Sequence, residues 1–354
     1  MHERWAVELL LAEAYSFYAE GRFAATLRAT GAALEAARVL GDVELRVRAL
    51  VYEGGALKIL GEFATALARH TEVLALAEDP AHREALAGER AQRAVAESFL
   101  EWVGCARSLP EFSATDLLTV LDRAEAWLRG VGRGRWRAGV CSQRAQVLAM
   151  LGRRPEALGL AEEAVALAER NPTAPGYTLA GYRLGLGDLL RGDGQTERAA
   201  GQYQRVLDDP ASARWDRFVA LVGLAWCALA RGEPPRAQEL AADAVRLAEG
   251  LGENALCQAL EVAVAAHRGA SDLPSARAAA ERHLQLARCL GAYRQYFAVR
   301  VRLDVALDEG DRGTAGALLV ELQPLAEALD GATGRREERD AYETRRRRLA
   351  ELPE

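Results

Sequence analysis

Catalysis or metal binding would need His, Cys, acidic or Lys side chains gathered at a few fixed spacings. The histidines are His2, His70, His82, His267 and His283, and none lies in an HExxH or other metal-ligand spacing. His70 reads as a core or half-buried side chain. His267 and His283, 16 residues apart, would meet across one helix pair, although chance placement is the simpler reading. The cysteines are Cys105, Cys141, Cys227, Cys257 and Cys289, odd in number and never closer than 30 residues. They make no CxxC and no disulfide framework, and they read as small hydrophobes in a protein of the reducing cytoplasm. Gly130-Val131-Gly132-Arg133-Gly134 has the composition of a phosphate loop. A dinucleotide fingerprint follows a strand, however, and here a helical pattern precedes it, so a solvated connector is expected. Lys58 is the single lysine, and the Leu57 before it and Ile59 after it exclude a GxxxxGK[ST] loop. Two arginine-rich stretches, Arg133–Arg137 around Trp136 and Arg345–Arg348, are the candidates for RNA or an acidic partner. Residues 335–354 hold seven Arg against six acids, so the second reads as a solvated capping helix. No cofactor and no metal are implied.

The elements that would position these residues are helices throughout. Half of the 354 residues are hydrophobic but only 6% are aromatic, and Ile59 is the single isoleucine. Ala, Leu, Arg and Glu favour helix, and little is left to build a sheet. The net charge of −6 argues against broad nucleic-acid binding, and no direct DNA contact is expected. The longest apolar run, Phe218–Ala230, is thirteen residues, too few to span a bilayer and suited to a buried helix. Met1–Arg4 leads straight into a helical pattern without a secretory signal. A cytoplasmic location away from any membrane is expected.

Chain breakers recur at Gly21, Gly61, Pro110, Gly152, Gly194, Gly232, Ser271 and Gly310, at intervals of 40, 49, 42, 42, 38, 39 and 39 residues. That period marks a repeat array of helix, tight turn, helix. Pro155, Pro234 and Pro274 fall just inside the starts of second helices, where the missing N–H costs nothing. Pro80, Pro172 and Pro210 fall between repeats, and Pro324 predicts a kink or an early stop. Eight helix pairs follow, at residues 1–42, 43–80, 81–133, 134–172, 173–211, 212–252, 253–291 and 292–331, as one domain over 1–354. The 49-residue interval suggests longer helices in the third pair, Arg90–Arg107 and Ala114–Arg129. Residues 335–350 form a helix that covers the last apolar face.

In the fifth repeat, Leu186-Gly187 is followed by Leu190, then by Ala199 and Tyr203. Gly54, Ala66 and His70, then Ala145, Ala157 and Ala161, then Ala225, Ala237 and Ala241 keep the same offsets. The pattern resembles that of the tetratricopeptide repeat (TPR), in which small residues let paired helices approach closely. Endings such as Leu247–Gly252 and Leu286–Gly291, with a period near 40, resemble the MalT-like group of TPR domains. The resemblance implies an all-α, right-handed α-solenoid of eight antiparallel pairs and a C-terminal cap, with first helices lining a concave groove. In TPRs the second, fifth, ninth and twelfth positions of each repeat face that groove. Carried over by the turns, these are Tyr15, Tyr18, Lys58, Arg107, Gln146, Asp188, Arg191, Trp226, Glu261, Arg268, Arg300 and Asp304. The function implied is a non-enzymatic scaffold that binds a protein or peptide in the groove. The alternative is the ligand-sensing regulatory domain of a MalT-like bacterial transcriptional activator, taking a small-molecule effector such as a sugar or peptide. A homo-oligomer is compatible with either.

Overall fold

The structure, a computed structural model, describes residues 4–109, 111–130, 136–170, 179–288, 290, 292–333 and 337–352. Among these residues the secondary structure is helical, as seventeen α-helices and one 3-10 turn. The chain divides into two compact units, residues 1–217 and 218–354.

In the first unit the helices are α1 (Arg4–Ala19), α2 (Phe23–Leu40), α3 (Val43–Leu60), α4 (Phe63–Glu78), α5 (Glu89–Ala106), α6 (Ala114–Gly130), α7 (Arg137–Met150), α8 (Arg154–Arg170), α9 (Leu179–Gly192) and α10 (Thr196–Asp208). The unit boundary falls inside α11 (Arg214–Ala230). The second unit continues with α12 (Pro234–Ala248), α13 (Glu253–Gly269), α14 (Leu273–Ala287), α15 (Ala292–Glu309), α16 (Arg312–Thr333) and α17 (Glu337–Glu351). Along α1–α10 and again along α13–α17 a second helix packs on its own first helix and on the first helix that follows, and the first helices α1, α3, α5, α7 and α9, and α13, α15 and α17, touch in succession. This is the wiring of an α-solenoid.

One turn recurs between the paired helices. At Gly61 the backbone enters the left-handed region (φ 91°), Gly61 N–H bonds Lys58 O at 3.0 Å, and Glu62 N–H bonds Leu57 O at 2.9 Å. These two bonds close the helix end and aim the chain back along it, a geometry that favours glycine. The same pair of bonds recurs at Gly21, Gly152, Gly194, Gly232 and Gly310. It recurs also at Ser271, the one described non-glycine with positive φ, at 57°.

The core is built of small residues. Ala66, Ala157, Ala199 and Ala237 are buried, and the same register continues through Ala276 and Ala315. A buried Ala removes little area from water, so these contacts depend on close approach of the backbones. Two first helices carry Gly where their neighbours carry Ala. A Cβ on Gly54 would lie 2.5 Å from His70 Nε2, and one on Gly187 would lie 2.7 Å from Tyr203 Cε1. A ring on the second helix therefore fills the space that the first helix vacates, whereas Ala145 with Ala161 and Ala225 with Ala241 share it evenly.

Several expectations change. The third pair, at 18 and 17 residues, lies within a residue of its expected bounds but exceeds each of the two pairs before it by only one residue, so its helices do not account for the wide interval. Part of the wide interval lies in the 79–88 connector, where Pro80–His82 forms a 3-10 turn capped by the Asp79 side chain. Helix α16 does not stop at Pro324 but runs on to Thr333. Pro324 is exposed and the preceding turn carries Val320, which is also exposed, so water can meet the carbonyl freed by the missing N–H. Trp136 is buried in the core rather than interleaved in a basic surface. Arg137 pairs with Glu163 at 2.6 Å. Residues 131–135, His2, Pro110, Pro172 and Cys289 lie outside the described residues.

Candidate functional site

Helix α3 shows which face of a first helix is available. Arg46 bonds Glu72 and Glu53 pairs with Arg69, both partners on α4. The opposite stripe of α3 is Glu44, Arg48, Tyr52, Gly55 and Lys58, spaced three or four apart so that they share one side. That stripe meets α1 and α5. Arg48 donates to both oxygens of Glu8 at 2.9 Å, and Arg4 donates to Glu44 at 2.7 Å. The Tyr52 ring lies 6.1 Å from the Tyr15 ring. Lys58 donates to Glu101. Successive first helices thus form a wall of side chains turned away from the second helices.

The sequence-derived residues of the first unit sit on this wall. Tyr15 is 57% exposed. Tyr18 is half-buried, packs edge-on to Phe23, and stands against the bare backbone of Gly55. Burial opposes the charge of Lys58, but Glu101, with Tyr18 and Cys105 adding, holds its ammonium above its ordinary value. Arg107 and Gln146 meet, with NH1 3.3 Å from Oε1, and Gln146 in turn donates to Gly185 O at 3.3 Å. Asp188 accepts the Tyr203 hydroxyl at 2.7 Å and lies 3.8 Å from Arg191. A shallow cavity of roughly 160 Å³ opens beside Asp188, between Arg154 and Asp193.

In the second unit, Glu261 and Arg300 pair at 3.4 Å between α13 and α15. Burial pushes the Glu261 carboxyl up despite Arg300 and Arg294. The Arg300 guanidinium also lies over the Phe297 ring at 4.4 Å. Arg268 and Asp304 approach to 3.7 Å, and Arg268 donates to Asp308 at 2.6 Å. Trp226 is half-buried on α11.

Other wall residues emerge only from the coordinates: Tyr52, Arg93, Glu97 and Glu101. Arg93 donates to Glu97 at 2.9 Å, and burial raises the Glu97 carboxyl in spite of that partner. The 3–4 spacing of charged and aromatic residues along α3 and α5 was the available signal.

The candidates for chemistry are used structurally. His70 is fully buried with Nδ1 3.2 Å from Ser98 Oγ, and burial lowers its pKa to about 4. His283 is also buried, with its pKa lowered to about 4 by burial and then by Arg294. His267 instead engages Gln238 at 3.1 Å and Asp272 at 3.2 Å. Cys105, Cys141, Cys227 and Cys257 are buried thiols outside any disulfide. Within the tail run, Arg345 and Arg348 turn onto α15, and Arg346 pairs with Glu343 at 3.2 Å. Among the described residues no group of His, Cys, Asp and Glu could hold a metal ion. No helix formed by these residues is long and apolar enough to cross a membrane.

No protein-family model matches the chain, and no curated protein does. Solved structures do. A Rap protein complexed with competence and sporulation factor is similar over 98% of this chain and 97% of its own, at 13% identity and TM-score 0.57. The apo form of the quorum sensor NprR from B. thuringiensis is similar over 98% of both chains, at 13% identity and TM-score 0.51. A signal-transduction ATPase with numerous domains and a tetratricopeptide repeat sensor, from Pyrococcus horikoshii, is similar over 94% of this chain and 49% of its own. Its identity is 14% and its TM-score 0.57. At such identities the likeness is one of fold. That fold is an all-α helical repeat.

Proposed function

We propose that the chain is a non-enzymatic interaction scaffold that holds a protein or peptide partner against the wall formed by its first helices. The observation that carries this reading is the stripe turned away from the second helices, where Tyr15 and Tyr52 stand beside paired charges. Aromatic faces, arginine forks and amides together recognise extended polypeptide. The Rap neighbour holds a competence and sporulation factor, which supports binding over catalysis. The structural use of His70, His267 and His283 supports it as well. Four buried cysteines outside any disulfide are in keeping with a reducing cytoplasm.

The test is a photo-crosslinking amino acid placed at Tyr15 or at Arg191, with Glu197 on the outer side of α10 as control. A partner captured from the two wall positions and not from Glu197 is the expected result. Equal capture from all three removes the wall from the function.

A second reading is favoured by the ATPase neighbour, whose TPR part is a sensor. In that reading the chain is the regulatory, effector-binding part of a bacterial transcriptional regulator and binds a small molecule. A thermal-shift screen of sugars and short peptides separates the two, because a ligand at about 100 Kd adds about 2.7 kcal/mol to the folded state. No shift with any small ligand eliminates the sensor.

A further inference from the structure

Helix α17 packs mainly on α16, and its contact with α15 is made largely by charge. Among its residues only Tyr342 and Leu349 are large and apolar, and with Leu352 they pack on the Tyr296, Leu303 and Leu322 cluster. Its polar contacts are more extensive. Arg345 donates through Nε and NH2 to the two oxygens of Asp304, at 2.8 and 2.7 Å. Arg348 donates to Asp308 at 2.8 Å and lies 3.7 Å from Asp304. Tyr296 donates its hydroxyl to Glu338.

The register of these contacts is that of the repeat. Asp304 to Arg345 spans 41 residues and Asp308 to Arg348 spans 40. Asn254 to Arg294 spans 40 and Glu261 to Arg300 spans 39, linking α13 to α15 in the same way. Helix α17 therefore stands where the first helix of a further repeat would stand.

The charges on α15 explain why it stays. Asp304 and Asp308 both face a single cation from α13, Arg268, at 3.7 and 2.6 Å. Two carboxylates share one guanidinium until α17 brings Arg345 and Arg348. With α17 in place the Asp304 side chain is 12% exposed and that of Asp308 is 25% exposed. A shielded carboxylate without its own cation is strongly unfavourable. Burial alone would raise the Asp308 carboxyl, but Arg268 and then Arg348 hold it below its ordinary value. The face therefore selects for arginine at two points one helical turn apart.

We propose that the α15 face bearing Asp304 and Asp308 is a docking site for a helix that presents two arginines three residues apart. Helix α17 occupies it as an internal ligand, releasable by salt and in competition with such a helix from a partner protein. A helix with so little apolar surface belongs to the low-stability end of the molecule. Its ion pairs weaken as the screening length shortens.

The test uses the full-length chain and a labelled peptide of residues 337–352. The chain carrying Arg345→Ala and Arg348→Ala binds this peptide at least roughly tenfold more tightly than the wild-type chain, whose own α17 competes. Adding Asp304→Asn and Asp308→Asn removes the binding, and a peptide with both arginines changed to Ala does not bind. Equal or absent binding to both chains overturns the proposal, as does binding that survives the Asn changes. A second measurement needs no variant. Hydrogen exchange of the wild-type protein is compared at about 50 mM and about 1 M NaCl, where the screening length falls several-fold. The α17 amides accelerate by roughly tenfold while α15 amides hold, and unchanged α17 exchange overturns the salt-released latch.

Discussion

The Gly187–Tyr203 contact makes the packing rule of the repeat measurable. Tyr203 is fully buried, and its hydroxyl is tied to Asp188 at 2.7 Å. A Cβ at position 187 would lie 2.7, 2.9 and 3.1 Å from three ring atoms, where ordinary contact begins at 3.4 Å. The ring must retreat by about 0.7 Å at its closest atom, and the tether resists this. Overpacking of this kind costs about 1–3 kcal/mol. Ala in place of Gly returns about 1 kcal/mol of helix propensity. Gly187→Ala alone is therefore destabilising by about 1 kcal/mol in the middle of that range. Tyr203→Ala leaves a cavity and costs about 3–5 kcal/mol. With the ring gone, Gly187→Ala meets no clash and stabilises by about 1 kcal/mol. The substitution thus changes sign with its background, and the cycle yields a favourable coupling of about 1–3 kcal/mol. Urea denaturation of the four proteins, at constant slope, measures it. Additivity within about 0.5 kcal/mol would show that the ring does not need the missing Cβ.

Two other outcomes follow from the turns and the buried imidazoles. Ser271 holds φ 57° in a turn that elsewhere uses glycine, so Ser271→Gly raises the urea midpoint by about 0.5–1 kcal/mol of stability, and a lower midpoint refutes the strain. His70 and His283 hold their pKa values near 4 in the fold, below the ordinary 6.5. The unfolded chain then binds more protons between those values, so stability is complete above pH 6.5 and is lost as pH falls toward 4. That interval corresponds to at most about 3 kcal/mol per ring. His283→Leu flattens the fall in a pH series of urea midpoints, and an unchanged slope would mean that the ring is not held neutral.

The turns and the helix pairing were legible because each rests on a local rule. A breaker after an apolar stretch becomes a left-handed turn at Gly61, and the 12-residue step from Gly187 to Ala199 pairs two small residues. The length of a connector has no such rule. The interval of 49 residues reads equally as longer helices or as a longer joint, and the capped turn at Asp79–His82 supplies part of the answer. That joint then moves the register of the wall. Lys58 meets Glu101 across 43 residues, whereas Arg107 meets Gln146 across 39. A position can be assigned to the wall from its own repeat, but its partner cannot be named without knowing the joint between the two. Glu101, the partner of Lys58 across that joint, went unread for this reason.

The same rungs bear on how such a wall can discriminate. A charge that is solvated only by water attracts any opposite charge, with little selectivity. Lys58, Arg107 and Asp188 in the first unit, and Arg300 and Asp304 in the second, each already engage another residue of their own unit. A bound group gains only the difference between its own contact and the one it displaces, so a ligand that matches the displaced geometry is preferred over one that merely carries charge. The Lys58–Glu101, Arg107–Gln146, Arg300–Glu261 and Asp304–Arg345 rungs also join successive first helices, so displacing one of these loosens the register between the two helices it joins. On the proposed reading, recognition and repeat spacing are in this way tied to the same side chains. A change at one rung should therefore move both partner affinity and the local exchange rates of the two helices it joins, which a purely solvating surface residue would not do.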